Sequence, residues 1–201
     1  MIDVGLFLED DGHRAFLAPL CRRLADGEGC EIRLHERSAS GGIGVTLRQL
    51  RQYVRDLRDG VEQFMQVLIV AVDGNCQGFN ERRKLIEQVV GDRYPGQLVI
   101  AVPDPHVELW YLADPDAPGR ALGRAVPVQV PTYKCERARY KTLLREVFSA
   151  VGIQAPAGGI EFGDDIVAEL DLDRACRNDR AFARLVGDYR AALRRLAPGG
   201  A

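Results

Sequence analysis

Three carboxylates, each placed just past an apolar run, set the chemistry open to this chain. Glu9 closes "VGLFLE", Asp73 closes "QVLIVAVD", and Glu108 follows "QLVIAVP" within "DPHVELWYLAD". Asp11 comes soon after Glu9, Asn75 soon after Asp73, and Asp104 directly after the last of these runs. Carboxylates crowded together repel, and they stay ionised when cations share the space. Hard oxygen donors with an amide carbonyl beside them suit Mg²⁺ or Mn²⁺. A divalent ion held this way activates water and screens phosphate charge, so the chemistry expected is metal-assisted phosphoryl transfer. The plainer alternative is that Asp, Asn and Gly serve as turn residues after strands, with Glu9 and Asp11 capping the helix that follows.

The elements around these residues decide whether they can meet. Residues 2 to 8 read as a short buried strand. In "HRAFLAPLCRRLADG" the apolar positions Phe16, Leu17, Leu20, Cys21 and Leu24 recur at helical spacing, with a glycine at the end. "CEIRLHER" alternates as a strand, "SASGGIG" reads as a loop, and 44–59 is an amphipathic helix with Leu47, Leu50, Val54 and Leu57 on one stripe. "QVLIVAVD" is the third strand, Phe79 to Val90 a helix, and "QLVIAVP" the fourth strand. Alternation of strand and helix predicts an α/β fold, with a mainly parallel sheet covered by helices on both faces. After Pro103 come a short helix, a Pro- and Gly-rich irregular stretch, and helices over about 133–151, 164–176 and 178–196. In open sheets of this class ligands bind beyond the carboxyl ends of the strands. All three acidic positions belong there.

Composition narrows the function. The chain has 201 residues, enough to bury a large core without disulfide or metal. A formal net charge of -2 offers no global basic field for nucleic acid, so binding would need a local patch. The five cysteines are scattered, without a C-x-x-C pair, and read as reduced thiols of a cytoplasmic protein. No apolar run reaches the length of a membrane span. Arg48, Arg51, Arg55 and Arg58 form a stripe on the 44–59 helix, which suits phosphates or an acidic partner, or else a solvated flank paired with Asp56 and Asp59. "SGGIG" lacks the Lys-Ser/Thr of a P-loop. His106, close to Glu108, fits a ligand or proton shuttle, or simply a helix start. Lys141 is either a surface lysine or a counter-charge for phosphate.

At these residues the chain resembles the Toprim fold family, a Rossmann-like parallel-sheet domain of topoisomerases, primases and the overcoming-lysogenization-defect nucleases. The signature there is a Glu after the first strand and an Asp-x-Asp after a later one. Glu9 in "LFLEDDGHR" takes the first position, and Asp73 and Asn75 in "IVAVDGN" the second. Together "LFLED", "VLIVAVDGN", "IAVPDPHVELWYLAD" and "YKTLLREVF" look like a Toprim-like family of bacterial defence operons, often encoded beside an ATPase. The resemblance spans roughly residues 2 to 150. It implies a Toprim-like α/β domain over 1–130 and a helical extension over 131–201 packed on it. It implies a Mg²⁺- or Mn²⁺-dependent nuclease acting on DNA or RNA in antiphage defence or repair.

In that reading Glu9 is a metal ligand or general acid/base, Asp73 a metal ligand, and Glu108 a third acidic group held by the Trp110 and Leu112 face. Asn75 and Asp11 support the metal, and Lys141 stabilises phosphate charge at the site. The departure is Asn75, which stands where the family has its second Asp and brings no negative charge. Nucleic acid and a neighbouring ATPase are the expected partners, a homo-oligomer is open, and no membrane is involved. Two rival readings remain: a non-catalytic subunit that binds and regulates the ATPase, and a small-molecule or nucleotide-binding module. The acidic "EDDGHR" after the first strand argues against the latter.

Overall fold

Four strands form one all-parallel sheet in the order β2-β1-β3-β4. The computed structural model describes residues 1–39, 41–91, 94–126, 128, 131–136 and 138–197. The strands are β1 (Ile2–Leu8), β2 (Ile32–Ser38), β3 (Val67–Ala71) and β4 (Gln97–Ala101). β3 is buried at every position, as a central strand covered on both faces must be. Side chains alternate between two cores. Val67, Ile69 and Ala71 point into one, with Leu6, Leu8 and Val99, and Leu68 and Val70 point into the other, with Phe7 and Ile100.

Helix α1 (Asp11–Gly27) covers the first face, and α2 (Gly42–Arg58) and α3 (Gly78–Val90) cover the second. The chain therefore leaves β1 toward β2 on one side and returns through β3 to β4 on the other. The reversal of direction falls between β1 and β3. Right-handed crossovers on a parallel sheet produce this arrangement, and it opens a crevice at the carboxyl ends of those two strands.

The remaining helices are short: α4 (Glu108–Tyr111), α5 (Ala117–Ala121), α6 (Arg139–Ser149), a 3₁₀ turn (Ile160–Phe162), α7 (Gly163–Glu169) and α8 (Leu172–Asn178). The last helix, α9 (Arg180–Leu196), is long and packs along β4. These helices share the core of the α1 face, where Phe16, Trp110 and Phe182 form an aromatic cluster. Gly163 allows α7 to approach α1 closely, since a Cβ there would lie 2.2 Å from the Ala15 carbonyl oxygen.

Two boundaries differ from the sequence expectation. The helix expected over 133–151 begins at Arg139, because residues 131–136 run without regular structure and Ala138 takes a left-handed conformation. The short helices expected near 164–176 are α7 and α8, divided at Leu170 and Asp171, where the Asp171 side chain caps the second. Part of the stretch expected to be irregular forms α5. The described residues contain no helix long and apolar enough to cross a membrane.

Candidate active site

The β1–β3 reversal brings Glu9 and Asp73 together. The Asp73 backbone N–H donates to Glu9 Oε2 (2.8 Å), joining residues 64 apart in sequence. The loop after β3 is fixed from below by Arg82 of α3, a buried guanidinium whose Nε donates to the carbonyls of Asp73 (3.1 Å) and Gly74 (3.2 Å). It is fixed from the side by the loop after β4. The Gly74 N–H donates to the Pro103 carbonyl, the Asn75 N–H to the Pro105 carbonyl, and the Cys76 N–H to Asp104 Oδ1. Gly74 has no room for a side chain, because a Cβ would lie 2.4 Å from Asp104 Oδ1.

The Asp73 carboxylate is gripped by two histidines and a backbone amide. His106 Nδ1 lies 2.9 Å from Oδ2, and the Val107 N–H donates to Oδ1 at 3.0 Å. His13 Nε2 stands 3.3 Å from Oδ1, an ion-pair contact rather than a formed hydrogen bond. His13 is wholly buried, and its Nδ1 is bound by Asp10 Oδ1 at 2.8 Å. Asp10 is also the N-cap of α1, accepting from the His13 backbone N–H. A chain of alternating charge thus runs Asp10–His13–Asp73–His106.

This chain moves proton affinities apart. Burial works to raise Asp73, but the hydrogen bond of His106 and the charges of His13 and His106 outweigh it and hold the carboxyl well below the usual range. Burial likewise works to lower His13, and contact with Asp10 and Asp73 overcomes it, pushing the imidazole up to about 10. His106 is raised by its bond to Asp73. Glu9 and Glu108 move the opposite way to Asp73. Burial raises both, and the nearby Asp73 charge adds to it. The site therefore combines two imidazoles whose proton affinity is raised, one carboxylate whose proton affinity is lowered, and two carboxyls whose proton affinity is raised. Groups driven apart in this way are the usual material of acid–base chemistry.

Glu108 opens α4 and is 5% exposed. Its Oε1 lies 3.7 Å from Lys141 Nζ of α6, while Oε2 is buried with no hydrogen-bond partner among the described residues. Of the residues expected at the site, Glu9, Asp73, Glu108 and Lys141 are thus brought to one end of the sheet. Asp11 is not: it is exposed and pairs with Arg14 at 3.2 Å. The exposed Asn75 engages the site through its backbone, and Asp104 anchors Cys76 and accepts from the Tyr133 hydroxyl at 3.1 Å.

Sequence reasoning missed His13 as a site residue and Arg82 entirely. The signal for His13 was present in "EDDGH", where an N-cap Asp precedes a side chain on the third helical position. The expectation of reduced cysteines is corrected. Cys76 and Cys135 form a disulfide between the β3 loop and residues 131–136, and Cys21, Cys30 and Cys176 are free. Their separation of 59 residues carries no local pattern, so only the tertiary meeting of the two loops reveals the pair.

The donor set does not fit a bound Mg²⁺ as it stands. No group of three His, Cys, Asp or Glu among the described residues is arranged to hold an ion. Asp73, the central expected ligand, already spends both oxygens on His106, Val107 and His13. Glu108 Oε2 is buried without a hydrogen-bond partner among the described residues. Comparisons with protein-family models, with curated proteins and with solved structures found no match.

Proposed function

We propose that this chain hydrolyses phosphodiester bonds of nucleic acid, as a Toprim-like nuclease whose reaction centre is the β1–β3 crevice. The observation that carries the reading is the union of Glu9 and Asp73 at the strand reversal, through the 2.8 Å bond from the Asp73 amide. A ligand-binding crevice is expected there on topological grounds alone, and this one holds Glu9 and Asp73 side by side.

The protein's own groups supply the proton traffic. His106, pushed toward its cationic form by its bond to Asp73, is placed to hold a phosphate oxygen or to protonate the leaving oxygen. Glu108, whose carboxylate is made more basic by burial, takes the proton of the attacking water. Lys141 offsets phosphate charge from the α6 side. Asp73 orients both imidazoles and stays ionised throughout. Under the family resemblance Glu9, Asp73 and Glu108 would hold a divalent ion. That role requires His106 and His13 to release Asp73, so no step is assigned to it.

The test is cleavage of plasmid DNA, single-stranded DNA and RNA in Mg²⁺, Mn²⁺ or EDTA, with Glu9→Gln, Asp73→Asn and Glu108→Gln alongside the native chain. General acid–base groups are worth about 10²- to 10⁴-fold, so each variant should lose at least about a hundredfold. Equal rates in all four proteins would end the assignment, and activity in EDTA would separate acid–base from metal chemistry.

A second reading is a non-catalytic subunit that regulates a partner ATPase. The saturated oxygens of Asp73 favour it, because a carboxylate tied to two histidines is also a sound structural device. Co-purification with the ATPase, and no cleavage by the chain in any metal, would establish it in place of the first.

A further inference from the structure

The arginine stripe of α2 plays no part in the crevice. α2 and α3 both start at the carboxyl ends of the strands they follow and run back. Their last turns therefore lie at the amino ends of the sheet, away from Glu9 and Asp73. Between those turns is a recess of about 260 Å³. Arg51, Arg55 and Arg58 line it from α2, spaced four and three residues apart and so on one face. Val54, Val89, Val90 and Pro95 form its apolar walls, with Tyr94 beside them. The last turn of a helix attracts cations on its own account, which is reason enough for Arg55 and Arg58. It accounts neither for Arg51, about two turns before the helix end, nor for the apolar hollow that the three arginines border.

The lining offers donors and apolar surface, and no free acceptor side chain. The Tyr94 hydroxyl is spent on the Met65 carbonyl. Among the described residues only Arg58 of the three arginines meets a carboxylate, its neighbour Asp59 at 3.2 Å. Arg55 Nη2 donates to Gln52 at 2.8 Å, which leaves most of its five-donor fork open. The acceptors that match a guanidinium fork are carboxylate and phosphate. The apolar walls decide between them. Bases of a nucleic-acid strand settle on aromatic faces, and these walls are mostly aliphatic. The volume falls just short of the roughly 300 Å³ at which small-molecule pockets begin, which suits one anchoring side chain better than a whole cofactor. The loop directly after α2 extends the apolar surface. Val61 is 76% exposed and Phe64 44%, and the Phe64 ring lies 6.2 Å from that of Tyr94. Large apolar side chains are otherwise exposed among the described residues only at Met1 and Tyr133, so two in this one loop mark a surface.

We propose that this recess docks an acidic segment of a partner protein, with one apolar side chain in the hollow and carboxylates on Arg51, Arg55 and Arg58. From Arg51 to Arg58 the helix rises about 10 Å, so the carboxylates of the segment span about two helical turns or three extended residues. An amphipathic helix with acidic flanks meets that span and the apolar hollow together. The docking surface does not depend on the hydrolysis reading. It lies at the other end of the sheet and leaves the crevice open while the partner is bound.

The test is selection of a random peptide library displayed on phage against the full folded chain, then fluorescence anisotropy of the selected peptides. The enriched sequences should carry Asp or Glu on both sides of a large apolar residue. Exchanging the acids of a selected peptide for their amides, or its apolar anchor for serine, should each weaken binding at least about tenfold, the size of one charge-assisted hydrogen bond. Arg51→Glu and Arg55→Glu should do the same from the protein side. Both positions are exposed, and Arg51→Gln and Arg55→Gln should give a smaller loss in the same order with an unchanged melting temperature. Arg177→Glu, exposed on α8 across the sheet, should leave binding as it is. Failure to enrich acidic, apolar-anchored peptides, or equal binding by the native chain and the Arg51 and Arg55 variants, would overturn the proposal. Displacement of the peptide by single-stranded DNA or RNA would overturn it too, by giving the arginines to nucleic acid. Cleavage with no peptide bound would remove this surface and keep the nuclease, and a bound peptide without cleavage would do the reverse.

Discussion

Asp73 draws its importance from what it holds, since His106, His13 and the Val107 amide all converge on one carboxylate. The pairing is felt from both ends, as a depressed acid and raised bases, and it counts once. His13 is the part that stability measurements can read. A histidine raised in the folded state stabilises it fully below the unfolded value of about 6.5. That contribution is lost as pH rises toward the folded value of about 10. Urea unfolding of the native chain should therefore show a falling midpoint across that window, and His13→Gln should flatten it. A native midpoint that does not fall there would mean His13 is buried neutral. At the acid end the sign reverses. The depressed Asp73 stabilises the fold above the ordinary carboxylate range and loses that contribution as pH drops through its folded value. Arg82 makes a separate prediction. Replacing it by Met leaves the Asp73 and Gly74 carbonyls without their buried donor. Each unsatisfied buried group costs about 1–3 kcal/mol, so the variant should lose about 2–4 kcal/mol in urea unfolding and most of its activity. An unchanged midpoint would show that water takes over the two acceptors.

At the scale of elements, the strands and their carboxylate ends were legible because buried parallel strands are written as unbroken Val/Ile/Leu runs. "VLIVAV" could be little else. The histidines were harder: "EDDGH" records the His13 contact with Asp10, but no spacing records that His13 and His106 both meet Asp73. Hardest was the segment 131–136. It carries no periodicity, yet it is tied to the β3 loop by the Cys76–Cys135 disulfide and to the β4 loop by the Tyr133 hydroxyl on Asp104. Both cysteines are exposed. Alkylation of the denatured, unreduced chain should label the three free cysteines, and all five after a dithiol reductant, counted by intact mass. Five labels without reductant would remove the staple. Where it is present, closing a 59-residue span stabilises the fold by up to about 4 kcal/mol on the chain-entropy account. Cys135→Ser should lower the unfolding midpoint accordingly.

Across the whole molecule, the "ELWYLAD" segment shows how one stretch can serve both site and fold. Glu108 meets Lys141 at the site, Trp110 Nε1 donates to Asp179 at 3.3 Å, and Asp114 is fully buried. Asp114 accepts from Arg120, from Arg174 at 3.2 Å and from the Asp171 N–H at 2.9 Å, which fastens α5 and α8 to the sheet layer. Asp179 caps α9 through the Phe182 N–H at 2.7 Å. The tertiary partners reveal that three of the segment's four polar side chains, Trp110, Tyr111 and Asp114, are clamps. The resemblance implies a helical extension from residue 131 packed on the α/β domain, and a sequence pattern says nothing about where the core ends. The core in fact continues. α9 buries Phe182, Leu185, Val186, Tyr189, Ala192 and Leu193 against the α1 face. At about 1.5–3 kcal/mol for each large side chain, taken as an upper estimate, this one helix contributes on the order of 10 kcal/mol. That rivals the whole 5–15 kcal/mol by which domains of ordinary stability stay folded. A chain cut at residue 136 would also strip Leu144 and Phe148 from the same core. It should therefore fail to fold as a unit, giving aggregates in gel filtration and no cooperative transition on heating. The sheet half of this molecule then has no independent existence, and recovery of a soluble, cooperatively melting 1–136 fragment would refute that.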